Sequence, residues 1–488
     1  MRLGLLWALA VASGAVAALV LYDSVPGINW TAWTVLTVAG LVAVRQPDSA
    51  TRRAMALPLG FAVVLSVGAA VTTTEPILVV IVAMVASLLA LAVVIAADGD
   101  DAEDYGAVAI LTVPIKGLWQ TIRGATALAA DTAKSAGGTE QRPVLRGVMM
   151  AVPVVVILAL LFASADPLLA RGRDMLQNSL STFDALPRVI FGLVVAIFVA
   201  SAYYSSRFAG RRITLAASSA RADSEIGVTE RQIVLGAAAA ISWLFVLLQI
   251  SYLFGKQPST IGSGITFADY ARRGFGELCV AATGVALLIA AAHQRIPPRD
   301  QARAHKSLVW PSLALLGAEC CVIFSAFHRV SLYEGAYGYT TSRVYAQAYM
   351  IITLLVLVAL ARHVLRDFRV RKLAREVMTI ALATLVVLVF WSADAWVARA
   401  NIARYAATGK LDVAYLGDSL SPDAYPALVE SLPKLVAADR GTLVAKLAKH
   451  YASREELKES PAWYEWNLRR SAARRLDLPE PKVKTVTE

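Results

Sequence analysis

Apolar residues occupy long blocks over the first 400 positions, and short polar connections separate these blocks. A hydrocarbon core of ~30 Å needs about 20 apolar residues in a helix, which is the length of each block. Backbone groups inside a bilayer must bond within their own segment, and this requirement also favours helices. The pattern predicts an all-α polytopic membrane protein with about 11 spans, at residues 3–21, 28–44, 54–71, 76–97, 146–166, 188–205, 232–252, 273–292, 308–327, 344–361 and 377–396.

The pattern divides the chain into four regions: a four-helix membrane region at 1–97, a cytoplasmic loop at 98–145, a seven-helix core at 146–398 and a tail at 399–488. The loop begins with an acidic cluster and continues into an apolar piece at 105–119 that is short for a span. We expect this piece to be an interfacial helix on the cytoplasmic surface, with a re-entrant or twelfth span as the alternative.

The tail differs from the rest of the chain because its residues are polar and mixed in charge. A helix start is predicted at 421–423, and apolar residues follow at roughly helical spacing. These are Leu428, Leu432, Leu435, Val436, Leu443 and Leu447. The tail is expected to be a small helical extracytoplasmic domain that is disordered after about residue 479.

The distribution of positive charge predicts the orientation. In the connections that would be cytoplasmic with the N-terminus inside, we count 22 Lys and Arg residues, against five in the opposite connections, or eight with helix-edge residues. This asymmetry favours an inside N-terminus and an outside C-terminus. The net charge of +11 therefore needs no nucleic-acid partner, and no nucleic-acid motif is present in the sequence.

Only 17% of the residues are charged and 57% are hydrophobic, so the bilayer is the principal expected partner. The cysteines, Cys279, Cys320 and Cys321, lie in apolar blocks without metal or disulfide spacing, and we expect buried small hydrophobic residues. No metal, cofactor or catalytic motif is predicted, including any phosphate loop or nucleophile elbow.

Two apolar blocks end on the same tripeptide, Ser-Ala-Asp, with an arginine five residues after the aspartate. Asp166 and Asp394 would lie at one depth on the outer side, because both blocks run outward. Short repeats arise easily in alanine-rich chains, so chance remains open. Asp166, which precedes Pro167, is favoured as the functional member, whereas the helix of Asp394 could continue into the tail.

A charged ladder is predicted before the eighth block, where Asp269, Arg273 and Glu277 have i, i+4 spacing. Glu319 lies near the middle of the ninth block, where an unpaired carboxylate costs a few kcal/mol. It is expected to be protonated, paired with arginine or facing water. Functional and structural interpretations remain open for both features.

The segment after the ninth block, 328–343, is predicted to be an outer loop with candidate ligand-binding side chains. The segment contains Tyr333, Glu334, Tyr337 and Arg343, and its tyrosine hydroxyls and arginine could bind sugars, phosphates or carboxylates. Tyrosines also populate membrane interfaces because their rings are amphipathic. The loop is a candidate site without being a signature of one.

Several strings resemble a bacterial multi-pass membrane family, the domain of unknown function 4153/4173 group. They are LFASADP (161–167), YLFG (252–255), FADYARRGF (267–275), LYEGAYGYT (332–340), NIARY (401–405) and GKLDVAYL (409–416). The resemblance covers roughly residues 146–430 and implies a bacterial cell (inner or plasma) membrane, without an established activity. The first four spans rest on hydropathy alone.

Three functions remain open. The favoured one is a transporter or ligand-binding membrane protein with an outward-opening site for a small polar or anionic solute or a lipid headgroup, with Glu319 and Glu277 as coupling groups. The second is a sensor or assembly partner that docks a protein through its C-terminal domain. The third is an outer-leaflet transferase acting on lipid-linked sugars, with Asp23 as an early outer carboxylate. Enzymatic activity is therefore not favoured, although it stays open.

Overall fold

A computed structural model describes residues 3–98, 185–208, 227–254, 275–294, 296, 301–366, 368–454, 457 and 462–476, with isolated positions between 117 and 132. The side chains of some helix-end residues lie outside this description. The chain forms two compact units. The first comprises Met1–Ile213, Leu420–Pro426 and Val444–Glu488, and the second comprises Thr214–Ser419 and Ala427–Leu443.

All regular structure in the described ranges is helical. The helices are α1 Leu3–Val20, α2 Ile28–Arg45, α3 Ser49–Gly68, α4 Glu75–Asp98, α5 Ala185–Phe208, α6 Val228–Phe254, α7 Phe275–Ala292, α8 Gln301–Tyr337, α9 Thr341–Leu365, α10 Val370–Trp391, α11 Ala393–Thr408, α12 Val413–Asp418, α13 Tyr425–Ser431, α14 Ala437–Ser453 and α15 Leu468–Arg474. Short 3-10 turns occupy Pro422–Ala424, Leu432–Lys434 and Trp463–Glu465.

The predicted all-α membrane fold is confirmed, since nine helices in the described ranges are long and apolar enough to cross a membrane. Helix α7 is apolar and coincides with an additional predicted block. The block at 146–166 lies outside the described residues, as does nearly all of 105–119, so the total of eleven stays a prediction.

Several helices extend beyond their apolar blocks, among them α3 and α8. Helix α3 begins at Ser49 because the Asp48 carboxylate accepts a hydrogen bond from the Thr51 backbone at 3.1 Å. The hydrogen bonds from Thr51 lower the pKa of Asp48. Helix α8 has 37 residues and is about 55 Å long, so it exceeds a hydrocarbon core of ~30 Å.

The membrane helices of the first unit pack around α5, which contacts α1, α2 and α4. Helices α1 and α5 approach closely because small residues line their crossing: a Cβ atom added to Gly192 would lie 2.7 Å from the Cβ of Ala18. Tyr203 of α5 is buried and donates a hydrogen bond to the Thr37 carbonyl at 2.8 Å. Small residues and one buried tyrosine therefore position α5.

In the second unit, α8 packs against α6, α7 and α9, and buried leucines such as Leu308 and Leu315 form its core. The expectation for the cysteines is wrong at Cys321, which is exposed, while Cys320 is half-buried. Ala318 and Glu319 lie on the buried face of α8, and the helical rotation from these residues to Cys321 places Cys321 on the exposed face. The side chain of Cys279 is not described.

The tail is helical, as the sequence indicates. The predicted start at 421–423 coincides with the 3-10 turn before α13. Of the six apolar positions that the spacing selects, five are buried, and Val436, in the linker just before α14, is 58% exposed. Residues beyond 479, where disorder is expected, lie outside the described ranges.

In the first unit, two tail segments bind the connection between α3 and α4. The Asp423 carboxylate accepts hydrogen bonds from Thr73 N and Oγ1 at 2.9 and 2.6 Å, and from Thr72 Oγ1 at 2.9 Å. Arg469 pairs with the same carboxylate at 2.7 Å. Asn467 donates to the carbonyls of Ala69 and Thr72 at 2.9 and 3.0 Å. These buried polar contacts fix the tail to the membrane helices of this unit.

Candidate functional site

The structure describes the side chains of six of the ten predicted site residues. Asp166, Asp269 and Arg273 lie outside the described residues. Glu277 lies in α7, but its side chain is not described. The charged ladder and the favoured Ser-Ala-Asp member therefore stay predictions.

The prediction of a loop at 328–343 is wrong for most of its length. Helix α8 continues to Tyr337, and only 338–340 separate it from α9. Gly338 ends α8 with a positive φ of 87°, and its N–H donates to the Glu334 carbonyl at 2.8 Å. Because no residue between 328 and 337 prevents helical geometry, the aromatic and charged side chains lie on the last turns of α8.

Glu334 is the central residue of this helix end. Its side chain is only 4% exposed, and Gln347 of α9 donates a hydrogen bond to Oε2 at 2.8 Å. In the part of the chain that the structure describes, Oε1 of Glu334 has no hydrogen-bond partner. A buried acceptor without a partner costs about 1–3 kcal/mol. The helix dipole gives no compensation, since the C-terminal end of a helix disfavours negative charge.

Two tyrosines lie on the same end of α8 as this carboxylate, and one arginine lies in the first turn of α9. The Arg343 guanidinium lies over the Tyr333 ring, 4.1 Å from its centroid, and donates to the Gly338 carbonyl. Arg343 also interacts electrostatically with Glu334. The Tyr337 ring is 4.7 Å from the Tyr333 ring and 53% exposed. We call Tyr333, Glu334, Tyr337, Arg343 and Gln347 the Glu334 site.

Helix α11 holds the turn beside the Glu334 site. Asn401 accepts a hydrogen bond from Tyr339 N at 2.9 Å and donates to Tyr339 O at 2.8 Å. Arg404 donates to the carbonyls of Gly335 and Ala336 at 3.0 and 2.7 Å, and thereby caps α8.

Helix α12 holds the beginning of α9, because the Tyr415 hydroxyl accepts a hydrogen bond from Thr341 N at 2.8 Å. Sequence reasoning did not select Gln347, Asn401, Arg404 or Tyr415 for the site. All but Gln347 lie in strings that carry the family resemblance, and this was the available signal.

Asp394 has a structural explanation. Ser392, with a positive φ of 63°, separates α10 from α11, and its hydroxyl caps α11 by accepting from Ala395 N at 3.4 Å. Asp394 is buried in the first turn of α11, where the helix dipole favours a carboxylate. At this position, Ser-Ala-Asp is a helix-start motif. Asp394 also shares the buried face of α11 with Asn401, at i, i+7 spacing.

Glu319 does not belong to the Glu334 site. Fifteen positions separate the two residues on α8, which corresponds to about 22 Å along the helix axis. The Glu319 side chain is 4% exposed, beside the buried cluster of Ala318, Val322 and Val246. No ion pair of Glu319 is present among the described residues. Glu319 and the Glu334 site therefore occupy separate places along α8.

Two further kinds of site, a metal site and a site at Asp23, can be compared with the described residues. No group of three or more His, Cys, Asp or Glu side chains in these ranges could hold a metal ion. Asp23 is exposed and has a positive φ of 51°. Two residues later in the same connection, Val25 N donates a hydrogen bond to Glu465 of the tail at 3.2 Å. Asp23 therefore contributes one exposed carboxylate next to a backbone segment that is bonded to the tail.

The number, length and apolar character of the helices define a polytopic α-helical membrane protein, with lipid as a contact partner. Within this class, the chain belongs to the family described as a domain of unknown function, DUF4153, whose profile matches residues 59–431. The match includes the second half of α3 and all of α4, two spans that hydropathy alone predicts. No curated protein matches the chain, and no solved structure matches it.

Proposed function

We propose that the protein binds a small polar solute at the Glu334 site and carries it across the membrane. The observation that supports this proposal is the buried Oε1 oxygen of Glu334, which lacks a hydrogen-bond donor among the described residues. A solute that supplies this donor removes the cost of the unpartnered acceptor. An ionisable group inside a membrane protein is also most often functional.

The surroundings of Glu334 indicate the chemistry of the solute. The free carboxylate oxygen accepts a hydroxyl or ammonium donor, and the exposed Tyr337 ring offers an aromatic face to a cation. Arg343, in the first turn of α9, supplies positive charge beside the end of α8. Amino alcohols and amino acids combine the required donor with a second polar group, and they are the solute class that we propose.

Transport is the second part of the proposal, and Glu319 is its candidate coupling group. Its carboxyl group is buried, and it lies about 22 Å from Glu334 along the axis of α8. An ionised carboxylate without a partner is costly inside the membrane. Such a carboxyl group can take up and release a proton while the solute occupies the other site. Binding and coupling therefore reside in different residues of one helix.

The binding step is tested by thermal unfolding of the purified full-length protein with ethanolamine, serine and glycerol as probes. Wild-type protein is expected to show a saturable rise in melting temperature with at least one probe that carries an amino group. Glu334→Gln should abolish this rise, because the amide presents a donor where the carboxylate presents an acceptor. Glu430→Gln is the matched control, since Glu430 is exposed on α13.

Equal responses of wild-type and Glu334→Gln protein, or the absence of a rise with every probe, contradict solute binding at this site.

The transport step is tested by uptake of the stabilising probe into proteoliposomes under a proton gradient. Glu319→Gln should retain the rise in melting temperature but lose gradient-driven uptake. Unchanged uptake by Glu319→Gln would reject Glu319 as the coupling group and leave the binding proposal intact.

A further inference from the structure

The tail segment 462–468 has an unusual distribution of exposed side chains. Its three exposed residues are all apolar: Trp463, Trp466 and Leu468 are 81%, 44% and 51% exposed. The polar side chains of the segment face the protein instead. Glu465 accepts hydrogen bonds from Val25 N and Ala462 N, both at 3.2 Å, and Asn467 is buried. The outward surface of 462–468, which we call the tryptophan face, is therefore apolar.

Backbone hydrogen bonds hold this segment at the ends of two membrane helices of the same unit. Ile28 N, at the beginning of α2, donates to the Trp466 carbonyl at 3.1 Å. Leu468 N donates to the Ala70 carbonyl at 2.8 Å, two residues after the end of α3. Because both helices are candidate membrane spans, these contacts position the tryptophan face at the depth where the spans leave the hydrocarbon core.

Gly27 makes the close approach of the segment feasible. A Cβ atom at position 27 would lie 2.6 Å from the Glu465 backbone and 2.7 Å from the Trp466 carbonyl oxygen, so the two backbones are in contact. Arg470 adds a hydrogen bond to the Pro26 carbonyl at 3.2 Å. The segment is thus attached to the membrane helices along its length, and the tryptophan side chains are oriented by a fixed backbone.

We infer that the tryptophan face is a membrane-binding surface of the tail, with the headgroup region of the bilayer as its partner. Indole rings concentrate at membrane interfaces because each ring combines a large apolar surface with one polar N–H group. Exposed apolar patches on a protein surface mark interaction sites. The attachment to the first residue of α2 and to the end of α3 favours lipid over a second protein, since this depth adjoins the bilayer.

Fluorescence quenching of the full-length protein in nanodiscs tests this inference. In a background where Cys279, Cys320 and Cys321 are replaced by serine, Trp463→Cys carries the polarity-sensitive dye NBD. Phospholipids with a nitroxide near the headgroup should quench this dye at least about threefold more than the same dye at Lys449→Cys, an exposed tail position of the same unit. Nitroxides at the end of the acyl chain should quench it less than those near the headgroup.

Quenching equal to that at Lys449→Cys, combined with free access of aqueous iodide, would overturn the inference. Protection from iodide without quenching by nitroxide lipids would also overturn it, because a protein partner or a second copy then covers the face. Trp466→Cys provides an independent measurement with the same expected result, and it decides the outcome if Trp463→Cys does not fold. These results do not depend on any solute bound at the Glu334 site.

Discussion

Asn401 connects α11 to the turn at the end of α8. Its amide group bonds to both backbone polar groups of Tyr339 and donates to the Val397 carbonyl at 3.0 Å. Asparagine can donate and accept at the same time, so no apolar residue of similar size reproduces this set of contacts. The geometry of the Glu334 site consequently depends on a residue that does not belong to it.

Replacement of Asn401 by alanine is expected to destabilise the protein by about 1–3 kcal/mol, since it leaves both part-buried backbone groups of Tyr339 without this partner. The measurement is thermal unfolding in detergent. Lys410→Ala is the control, because the Lys410 side chain is exposed and should change stability by less than about 0.5 kcal/mol. A melting temperature of Asn401→Ala equal to that of the control would refute the structural role of Asn401.

At the residue scale, the sequence identifies the type of candidate residues better than their surroundings. Glu334, Tyr333 and Arg343 are recognisable because charged and aromatic residues cluster at the end of an apolar block. The hydrogen bond between Glu334 and Gln347 could not be predicted, since it requires the packing of α9 on α8. Asp394 shows the opposite case: its position suggested a site, and the helix start at Ser392 accounts for it.

At the element scale, the crossing of α1 and α5 depends on glycine. A Cβ atom added at Gly192 would meet Ala18 at 2.7 Å, whereas one added at Gly60 of α3 would meet nothing within 4 Å. Both residues are helical and both belong to the first unit. Substitution by alanine raises helix propensity at both positions, but it introduces a steric clash only at Gly192.

We expect Gly192→Ala to destabilise the protein by about 1–3 kcal/mol through overpacking. Gly60→Ala should be neutral or stabilising by up to about 1 kcal/mol, because alanine favours the helix. Unfolding of both variants in mixed detergent micelles measures the difference. Equal stability of the two variants would show that close packing at Gly192 does not hold α5 in place.

The hydropathy pattern predicts where helices exist better than where they end. Helix α3 extends to Ser49 because Asp48 caps it, although residues 49–53, of which four are polar, precede the apolar block. Helix α8 extends ten residues past its predicted block because Gly338, rather than polarity, ends it. Helix ends depend on caps and backbone angles, which an average over apolar residues does not record.

At the scale of the whole molecule, the tail is part of the packing of the membrane helices. Its residues bond to residues 25–28 and 69–74 in the first unit and to residues 335–341 in the second. Removal of 399–488 would leave these polar groups without partners. A loss of function after such a deletion therefore does not by itself demonstrate a docking role, and no contact of the described residues specifically favours a sensor or a transferase.

The orientation of the chain is predicted from the distribution of Lys and Arg. Within the second unit, the ends of α8 and α10 share one side, since α11 begins after α10 and bonds to the turn that follows α8. The Glu334 site and the beginning of the tail consequently face the same compartment. If the positive-inside asymmetry applies, this compartment is the outside.

The measurement that tests the account most directly is cysteine accessibility in intact cells, with a membrane-impermeant maleimide and the three native cysteines replaced by serine. Lys410→Cys, next to α11, should react from outside, whereas Arg366→Cys, between α9 and α10, should react only after permeabilisation. Both side chains are exposed, so protein burial does not limit either reaction. Reaction of Arg366→Cys from outside, or of both positions from the same side, would contradict a spanning α10 with an outward Glu334 site.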